Sequence, residues 1–250
     1  MSTVLAAIRA EWTKLRTTPG PAWLLLITAA VTVGLGAAVC ALATCPRAGC
    51  DLDAGRLALS GVYLGQVPIA VLAVLAVSGE YSTRLIGTTL TAIPNRPVVL
   101  AAKALVLVVP VAAVAASALF ACLLIARIVL PDRLPLEGPI LRAGAGSVAY
   151  LVLIALLGLG VAAVVRDSAA SIGTVLGLLY LPPILTQTVA DPQLRRLLER
   201  AAPMSAGLAI QATGDLRHLP IGPWAGLGVA AAWSVGALLA GTFLLRFRDT

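Results

Sequence analysis

Few side chains of this chain combine the residue types and spacing that catalysis or metal binding requires. The one histidine, His218, lies beside Leu219 and Pro220, so the serines have a single candidate partner for a Ser-His-Asp arrangement. No cluster of histidines, cysteines and carboxylates shows metal-ligand spacing. The phosphate-loop pattern G-x-x-x-x-G-K-S/T is also missing. The sequence therefore predicts no catalytic residues, no metal site and no cofactor bound by this chain.

The two cysteines of the segment CPRAGC, Cys45 and Cys50, come closest to a reactive pair. Nearby thiols in an oxidising compartment can form a disulfide, and their surroundings offer too few other ligands for zinc. A disulfide and two free thiols both remain open. Cys40 and Cys122 fall inside apolar runs, where a buried thiol behaves as a small apolar group.

Gln66 and Gln187 are the most polar side chains in the middle of apolar runs. Each can contact a substrate or hydrogen-bond one helix to another, and helix packing is the favoured reading. The apolar runs contain no carboxylate in their interior, since Glu80 and Asp167 lie at their edges. Ion-coupled transporters commonly place ionisable groups inside the bilayer. A carrier with its own ion coupling is therefore disfavoured, and energy would have to come from a partner.

The composition is that of a membrane protein. Of 250 residues, 60% are hydrophobic and 12% are charged, with a mean hydropathy of +0.99, whereas roughly a quarter of residues are charged in soluble domains. The net charge of +7 comes from basic residues scattered between apolar runs without interleaved aromatics. That distribution is typical of anchoring at the membrane edge and not of nucleic-acid binding. The expected partners include membrane lipid and exclude nucleic acid.

Six apolar runs are each long enough to cross a hydrocarbon core, which takes roughly 20 helical residues. A lone strand would leave its backbone groups without partners in lipid, so each run is predicted to be a helix. The predicted fold is an all-α integral membrane protein with a single transmembrane domain over residues 1–250. The expected spans are residues 22–43, 58–78, 102–127, 143–165, 169–190 and 222–245.

Two further segments are expected to lie along the membrane. Residues 2–18 carry apolar side chains at helical spacing and predict an amphipathic interfacial helix, with Trp12 at headgroup depth and Lys14 and Arg16 on its polar side. Residues 191–217 form the longest segment on the opposite side, with a short interfacial helix followed by an apolar piece too short to cross. That piece is expected to dip back into the leaflet under the cover of surrounding protein.

Six spans place both termini on the same side. Lysines and arginines are equally numerous on the two sides, but the basic N-terminal segment favours cytoplasmic termini. The first run also ends in a small-x-small pattern at residues 41–43, which is typical of signal-peptide cleavage sites. This run exceeds the 7 to 15 apolar residues of a signal peptide, so a retained span is favoured.

The polar segment between the second and third spans, residues 79–97, has the sequence GEYSTRLIGTTLTAIPNRP. Its apolar side chains Leu85, Ile86 and Leu90 can insert into a shallow groove. Glu80 and Arg84 lie four residues apart, where they can pair or steer docking on one helical face. A docking element for another protein and a plain connecting loop are both compatible with this pattern.

The order of these segments is specific. The chain resembles the permease subunits of type-2 ABC transporters, in particular the short six-span bacterial ones. The resemblance lies in a surface helix with EWTKLRTTP at residues 11–19, followed by a first span, and in GEYSTRLIGTTLTAIPNRPVVLAAK at residues 79–103 after the second span. The layout agrees over essentially the whole chain, while the local signals lie in those two stretches. The resemblance implies an exporter permease of the bacterial inner membrane that moves a hydrophobic or amphipathic substrate by alternating access.

The resemblance also implies partners and site residues. The partners are a second permease chain, identical or homologous, and two copies of a separate ATP-binding subunit, which bind ATP and Mg²⁺. In this family the loop after the second span holds a coupling helix that docks on the ATP-binding subunit, and the second and fifth spans, which here carry Gln66 and Gln187, line the substrate path. Carried onto this chain, the coupling segment is residues 80–90, with docking residues Glu80, Tyr81, Arg84, Leu85, Ile86, Thr89 and Leu90.

One departure from the family pattern is Asn95 before Arg96, where family loops often carry further basic residues. This departure weakens the expectation that the chain selects its partner by charge. A non-transporting membrane scaffold or sensor subunit with the same fold remains the alternative function. An integral-membrane enzyme is disfavoured because the sequence contains no polar constellation for catalysis.

Overall fold

A computed structural model describes residues 2–43, 53–82, 96–129, 138–214, 216 and 219–247 of the chain. Every regular element within these ranges is helical, as the composition predicts. The α-helices are α1 (Ser2–Thr17), α2 (Pro19–Leu42), α3 (Ala54–Ala58), α4 (Val62–Ser82), α5 (Arg96–Val129), α6 (Gly138–Val165), α7 (Ser168–Thr188), α8 (Pro192–Ala201), α9 (Pro203–Gly207) and α10 (Pro223–Phe247). Short 3-10 turns, Leu59–Gly61 and Leu208–Gln211, follow α3 and α9.

Six helices of the described ranges are long and apolar enough to cross a membrane, which confirms a multi-pass membrane protein. They cover Pro19–Leu42, Ala54–Gly79, Pro97–Val129, Gly138–Val165, Ser168–Thr188 and Pro223–Leu244. The third and fourth begin before the predicted residues 102 and 143. Each has a proline as its second residue, Pro97 in α5 and Pro139 in α6, and proline is favoured in the first helical turn. Both helices therefore begin one residue before the proline, and the fourth span includes Arg142, which the predicted span left out.

The core of the bundle is built around α6, which packs against α10, α4, α5 and α7. Its side chains Tyr150, Leu151 and Ile154 are completely buried. In the two most enclosed spans, Ala54–Gly79 and Gly138–Val165, 61% of the most apolar stretch is buried, against 17% to 28% in the other four. The second and fourth spans therefore form the interior, and the other four surround them.

Small residues let these helices approach one another closely, as expected for packing in lipid. A Cβ atom on Gly61 would lie 1.9 Å from the carbonyl oxygen of Thr32 on α2. A Cβ atom on Gly160 of α6 would lie 2.6 Å from the carbonyl carbon of Ala237 on α10. At both positions a larger residue would force two backbones apart.

The turn between α6 and α7 is only two residues long. Arg166 has a positive φ of 64°, and its N–H donates to the carbonyl of Ala162 at 2.9 Å, which closes α6 with a left-handed cap. Asp167 then begins α7, because its carboxylate accepts a hydrogen bond from the Ala170 N–H at 2.7 Å. These two caps end α6 and begin α7 within two residues.

The two ends of the bundle differ in what they hold. We call the end that carries α1, the C-terminus of α4 and the N-terminus of α5 the proximal end. The opposite end, which carries α3, α8 and α9, is the distal end. The helices α2, α4, α5, α6, α7 and α10 alternate in direction between these two ends.

Candidate functional site

Helix α1 contacts the proximal end of the bundle through a polar side chain, whereas the sequence predicts only that this helix lies along the membrane. The buried residues of its described face are Ala7 and Glu11, while Leu5 and Trp12 are exposed. The helix ends at Thr17 because Thr18, which precedes Pro19, takes an extended conformation with φ −91° and ψ 129°. The chain enters α2 at the next residue, Pro19. Besides this short connection, α1 is held by its side-chain contacts with the bundle.

Glu11 joins three helices through a buried ion pair. One oxygen of its carboxylate accepts a hydrogen bond from Lys103 Nζ on α5 at 2.7 Å, and the other accepts one from Lys14 Nζ at 2.9 Å. Lys103 Nζ also donates to the carbonyl of Ala76 on α4 at 3.3 Å. The side chains of Glu11 and Lys103 are only 10% and 5% exposed. We refer to Glu11, Lys14, Lys103 and the Ala76 carbonyl as the Glu11 cluster.

Such a cluster is costly to bury, because taking two charges out of water carries a large desolvation penalty. Ionisable groups within a membrane bundle are rare and mark functional sites by default. Lys14 and Lys103 are the only lysines in a chain whose other strongly basic residues are arginines. That shared scarcity was the one sequence signal for the cluster, and the sequence reading did not assign Glu11 or Lys103 to a site.

The C-terminus of α4 has a second connection to its neighbours. Ser168 at the start of α7 donates a hydrogen bond from its hydroxyl to the Ser78 hydroxyl at 2.8 Å, and Ser78 in turn donates to the Val74 carbonyl at 2.9 Å. The last two turns of α4 are therefore held to α5 through Ala76 and to α7 through Ser78, and Lys103 of α5 is in turn bonded to Glu11 of α1. Two groups of polar contacts thus join α4 to its neighbours at the proximal end.

A cavity of ≈ 370 Å³ opens beside the Glu11 cluster, between α1, α2, α4 and α5. We call it the proximal cavity. Its polar end is formed by the ionisable side chains of the cluster and by Thr18. Its remaining wall is apolar and is formed by Leu24, Leu72, Leu75, Val106 and Leu107. The volume lies within the range of roughly 300 to 1,000 Å³ for small-molecule sites.

The predicted docking residues divide between two parts of the chain. Glu80 and Tyr81 belong to the last turn of α4, which continues to Ser82. The predicted coupling segment therefore begins within the last turn of a spanning helix. The other predicted docking residues, Arg84, Leu85, Ile86, Thr89 and Leu90, lie outside the described residues. Trp12, Lys14 and Arg16 of the predicted interfacial helix are on α1, with their side chains exposed.

Gln66 lies in a buried hydrogen-bond network between spans. Its side-chain oxygen accepts from the Tyr150 hydroxyl on α6 at 2.6 Å, and its nitrogen donates to the Tyr180 hydroxyl on α7 at 3.1 Å. The Tyr180 hydroxyl donates to the carbonyl of Tyr63. Gln187 is exposed near the distal end of α7, so the structure does not bring the two glutamines together. Gln66 joins helices, and a place in the substrate path stays a prediction for both residues.

At the distal end, α9 and the turn after it are enclosed by the bundle. Met204, Ala206, Leu208 and Ile210 are buried, mainly against α6 and α10. Gln211 fixes the end of this piece, since its amide donates to the hydroxyl of Ser147 at 3.1 Å and to the carbonyl of Leu59 at 3.3 Å. The apolar segment that the sequence marks as too short to cross is thus covered by protein on all its main faces.

Asp53 connects α3 to the end of this enclosed piece. Its carboxylate accepts hydrogen bonds from the N–H groups of Thr213 at 2.7 Å and Gly214 at 2.9 Å, from the Thr213 hydroxyl, and from the Arg56 N–H at 2.9 Å. Partial burial alone would raise the pKa of the Asp53 carboxyl. The hydrogen bonds outweigh burial and lower this pKa below its ordinary value.

Replacing Asp53 with asparagine is expected to lower the stability of the detergent-purified chain by about 1 to 2 kcal/mol at pH 7, because hydrogen bonds to a charged acceptor are lost at a half-buried site. Since the folded pKa is the lower one, the contribution of Asp53 is complete above the unfolded pKa of about 3.9 and disappears as the pH falls through the folded value. Thermal unfolding followed by tryptophan fluorescence between pH 7 and pH 3 measures both effects.

The matched control is Asp191→Asn at the start of α8. Asp191 also accepts a backbone N–H, from Gln193 at 2.9 Å, but it is exposed, and asparagine caps helices as well as aspartate. Equal unfolding midpoints for Asp53→Asn and the parent chain across this pH range would contradict the assigned role of Asp53.

Two of the four cysteines lie among the residues that the structure describes. The predicted pair Cys45 and Cys50 lies outside the described residues, so its disulfide stays a prediction. Cys40 on α2 and Cys122 on α5 are buried free thiols. Among the residues that the structure describes, no three histidine, cysteine or carboxylate side chains gather into a group that would hold a metal ion.

Comparison with known proteins gives no further assignment. No protein-family model matches this chain, and no curated protein matches it in sequence.

Proposed function

We propose that this chain is the membrane-spanning permease subunit of a type-2 ABC exporter, which uses the energy of a separate ATP-binding subunit. The observation that supports this best is the Glu11 cluster. It ties α1 to the C-terminus of α4 and the N-terminus of α5, the two helices that flank residues 83–95. A force applied to residues 83–95 would then move a connected unit of α1, α4 and α5.

In this proposal the proximal end faces the bacterial cytoplasm. The exposed basic residues of α1, Arg9, Lys14 and Arg16, support that orientation, because lysine and arginine accumulate on the cytoplasmic side. With Trp12 exposed, α1 lies at the depth of the lipid headgroups. The distal end is external, α8 lies in the interface, and α9 is a re-entrant piece that the bundle covers.

The transport cycle follows from these connections. The ATP-binding subunit docks on the coupling segment, residues 80–90, and closes when it binds ATP and Mg²⁺. The movement passes along α4, through the Glu11 cluster to α1 and α5, and through the Ser78–Ser168 hydrogen bond to α7. Because Gln66 of α4 bonds Tyr180 of α7, a separation of the second and fifth spans must break or shift this contact. That contact is where alternating access changes the packing of the core.

The substrate class is hydrophobic or amphipathic. The outer face of the fifth span supports this assignment, since Leu181, Ile184 and Leu185 are exposed there and carry no charge. Two such chains, identical or homologous, place the path between them, and each chain engages one ATP-binding subunit. Gln187, also exposed on α7, adds a hydrogen-bonding group to this otherwise apolar surface.

The full chain is expected to co-purify from its native cells with a soluble protein that carries a phosphate-loop motif. The expected complex contains equal numbers of the two proteins, because each permease offers one coupling segment. Size-exclusion chromatography with protein quantification measures the ratio. Recovery of this chain alone, in a stable and membrane-inserted form, would contradict the proposal and leave the scaffold or sensor function in its place.

A further inference from the structure

The amide of Gln66 on α4 is shared between two other helices at the distal half of the bundle. Its nitrogen lies 3.1 Å from the Tyr180 hydroxyl on α7 and 3.2 Å from the Met204 sulfur on α9. The same nitrogen lies 3.1 Å from the carbonyl oxygen of Tyr63 on its own helix. Its amide oxygen accepts a hydrogen bond from the Tyr150 hydroxyl on α6. We call these five residues the Gln66 network.

Helix α9 contacts this network at two points. Besides the contact of Met204 with Gln66, Gly207 lies against the ring of Tyr150, where a Cβ atom on the glycine would come within 2.5 Å of two ring carbons. Gln66 and Tyr150 are completely buried, and Met204 is 2% exposed. Water therefore does not replace a partner that one of these groups loses, and the loss is costly.

The contact between Gln66 and Met204 is the weakest of the network. A thioether sulfur is a poor acceptor, and the amide nitrogen has two hydrogens for three acceptors. The side chain keeps its orientation towards Met204 because Tyr150 holds its oxygen and Tyr180 holds its nitrogen. Departure of Tyr180 gives the side chain of Gln66 more rotamer freedom, which shortens the time that it faces Met204.

Both spans that meet at this network are weakened by proline at the same level. In α4, Pro68 follows Gln66 by two residues. In α7, Pro182 and Pro183 follow Tyr180 directly after Leu181. A proline has no N–H, so a helix lacks an i to i−4 hydrogen bond there and bends more easily. Separation of α4 from α7 is therefore easiest close to the Gln66–Tyr180 contact.

We propose that the Gln66 network couples α9 to the contact between α4 and α7, so that α9 loosens when these two spans separate. Gln66 is the positioning residue of this coupling, because it is the side chain that bonds both α7 and α9. The coupling is a property of the chain alone and needs no ATP-binding subunit. Its use in transport, which is to open the distal end together with the path between the spans, rests on the proposed function.

Hydrogen–deuterium exchange of the detergent-purified full chain, read by mass spectrometry of its peptides, measures the coupling from both sides. Tyr180→Phe removes the acceptor on α7 and is expected to raise amide exchange of residues 204–211 about threefold, the effect of one weak hydrogen bond. Met204→Leu removes the acceptor on α9 at similar volume. It is expected to raise amide exchange of residues 184–188 of α7 by a similar factor, because coupling between two sites is reciprocal.

A third variant tests whether the effect passes through Gln66. Gln66→Met removes the shared amide and keeps an unbranched side chain, and in this background the addition of Tyr180→Phe is expected to leave the exchange of residues 204–211 unchanged. The matched control is Ser168→Ala, which breaks a different hydrogen bond between α7 and α4, to Ser78 at the proximal end. This control is expected not to change the exchange of residues 204–211.

Three results would overturn the proposal. The first is unchanged or slower exchange of residues 204–211 in the chain with Tyr180→Phe. The second is an equal effect of Tyr180→Phe with and without Gln66, and the third is an equal rise in the Ser168→Ala control. If Gln66→Met does not fold, the two conservative single variants and the control still decide. Since every sample contains this chain alone, absence of an ATP-binding partner would refute the proposed function and leave these results unchanged.

Discussion

Replacement of Lys103 by methionine is expected to destabilise the chain by about 3 kcal/mol, because it leaves the nine-tenths buried carboxylate of Glu11 without its closest partner. Lys14 still bonds one oxygen of that carboxylate, which keeps the loss at the lower end of the range for broken buried pairs. Thermal unfolding is measured by the labelling of Cys40 and Cys122 with a thiol-reactive fluorophore in chains that carry serine at positions 45 and 50, since Cys40 and Cys122 are buried in the folded chain.

Two further variants distinguish the loss of an ion pair from general damage. The double substitution Glu11→Gln with Lys103→Met is expected to recover most of the lost stability, because a buried pair replaced by neutral groups is close to neutral overall. Arg195→Met breaks the exposed Arg195–Glu199 pair, at 3.0 Å on α8, and is expected to cost less than about 1 kcal/mol. If Lys103→Met is no more destabilising than Arg195→Met, the Glu11 cluster does not hold α1 in place.

Leu85→Asp and Arg84→Glu in the coupling segment are each expected to reduce transport to background. The first places a charge in what we propose to be an apolar contact with the ATP-binding subunit, and burial of an unpaired charge is strongly unfavourable. The second reverses a charge that steers docking. Transport is measured in membrane vesicles that contain both subunits, with ATP added on the side of the coupling segment.

The matched control for these variants is Arg127→Glu. Arg127 is exposed near the end of α5 at the distal end, on the side opposite to the coupling segment. Transport is expected to continue in this variant, and all three chains are expected to insert into the membrane in equal amounts. Normal transport in both coupling-segment variants would remove the basis for docking through residues 80–90.

The number and type of the spanning helices could be predicted because lipid leaves the backbone few options. Each apolar run must satisfy its own N–H and C=O groups, and a helix does so without partners. The predicted helix ends were less accurate, because a run without charged residues marks the part of a helix inside the hydrocarbon region and not the full helix. α5 starts at Arg96, seven residues before the buried Lys103, since the helix begins near its proline whatever the hydropathy of the first turns.

The contacts that make the candidate site could not be predicted. Glu11 and Lys103 are 92 positions apart in the chain, and Asp53 and Thr213 are 160 apart, so no local pattern relates them. Each pair depends on how three or more helices pack. The sequence signal was limited to the scarcity of lysine, since Lys14 and Lys103 are the only two lysines of the chain.

The sequence also could not show which of the two glutamines is buried. Helices α4 and α7 are apolar around their whole circumference, so they carry no periodic signal for which side faces protein and which faces lipid. Gln66 and Gln187 therefore look alike in the sequence. In the structure Gln66 is completely buried in a network with Tyr150 and Tyr180, whereas Gln187 is exposed.

The proposed function requires that residues 80–90 transmit energy from an ATP-binding subunit. The most direct measurement is the amount of that subunit recovered with the full chain carrying Leu85→Asp, compared with the parent chain and with Arg127→Glu in parallel preparations. We predict a large loss of the subunit from the Leu85→Asp chain alone, with equal amounts of all three chains in the membrane. Equal recovery of the ATP-binding subunit with all three chains would contradict the claim.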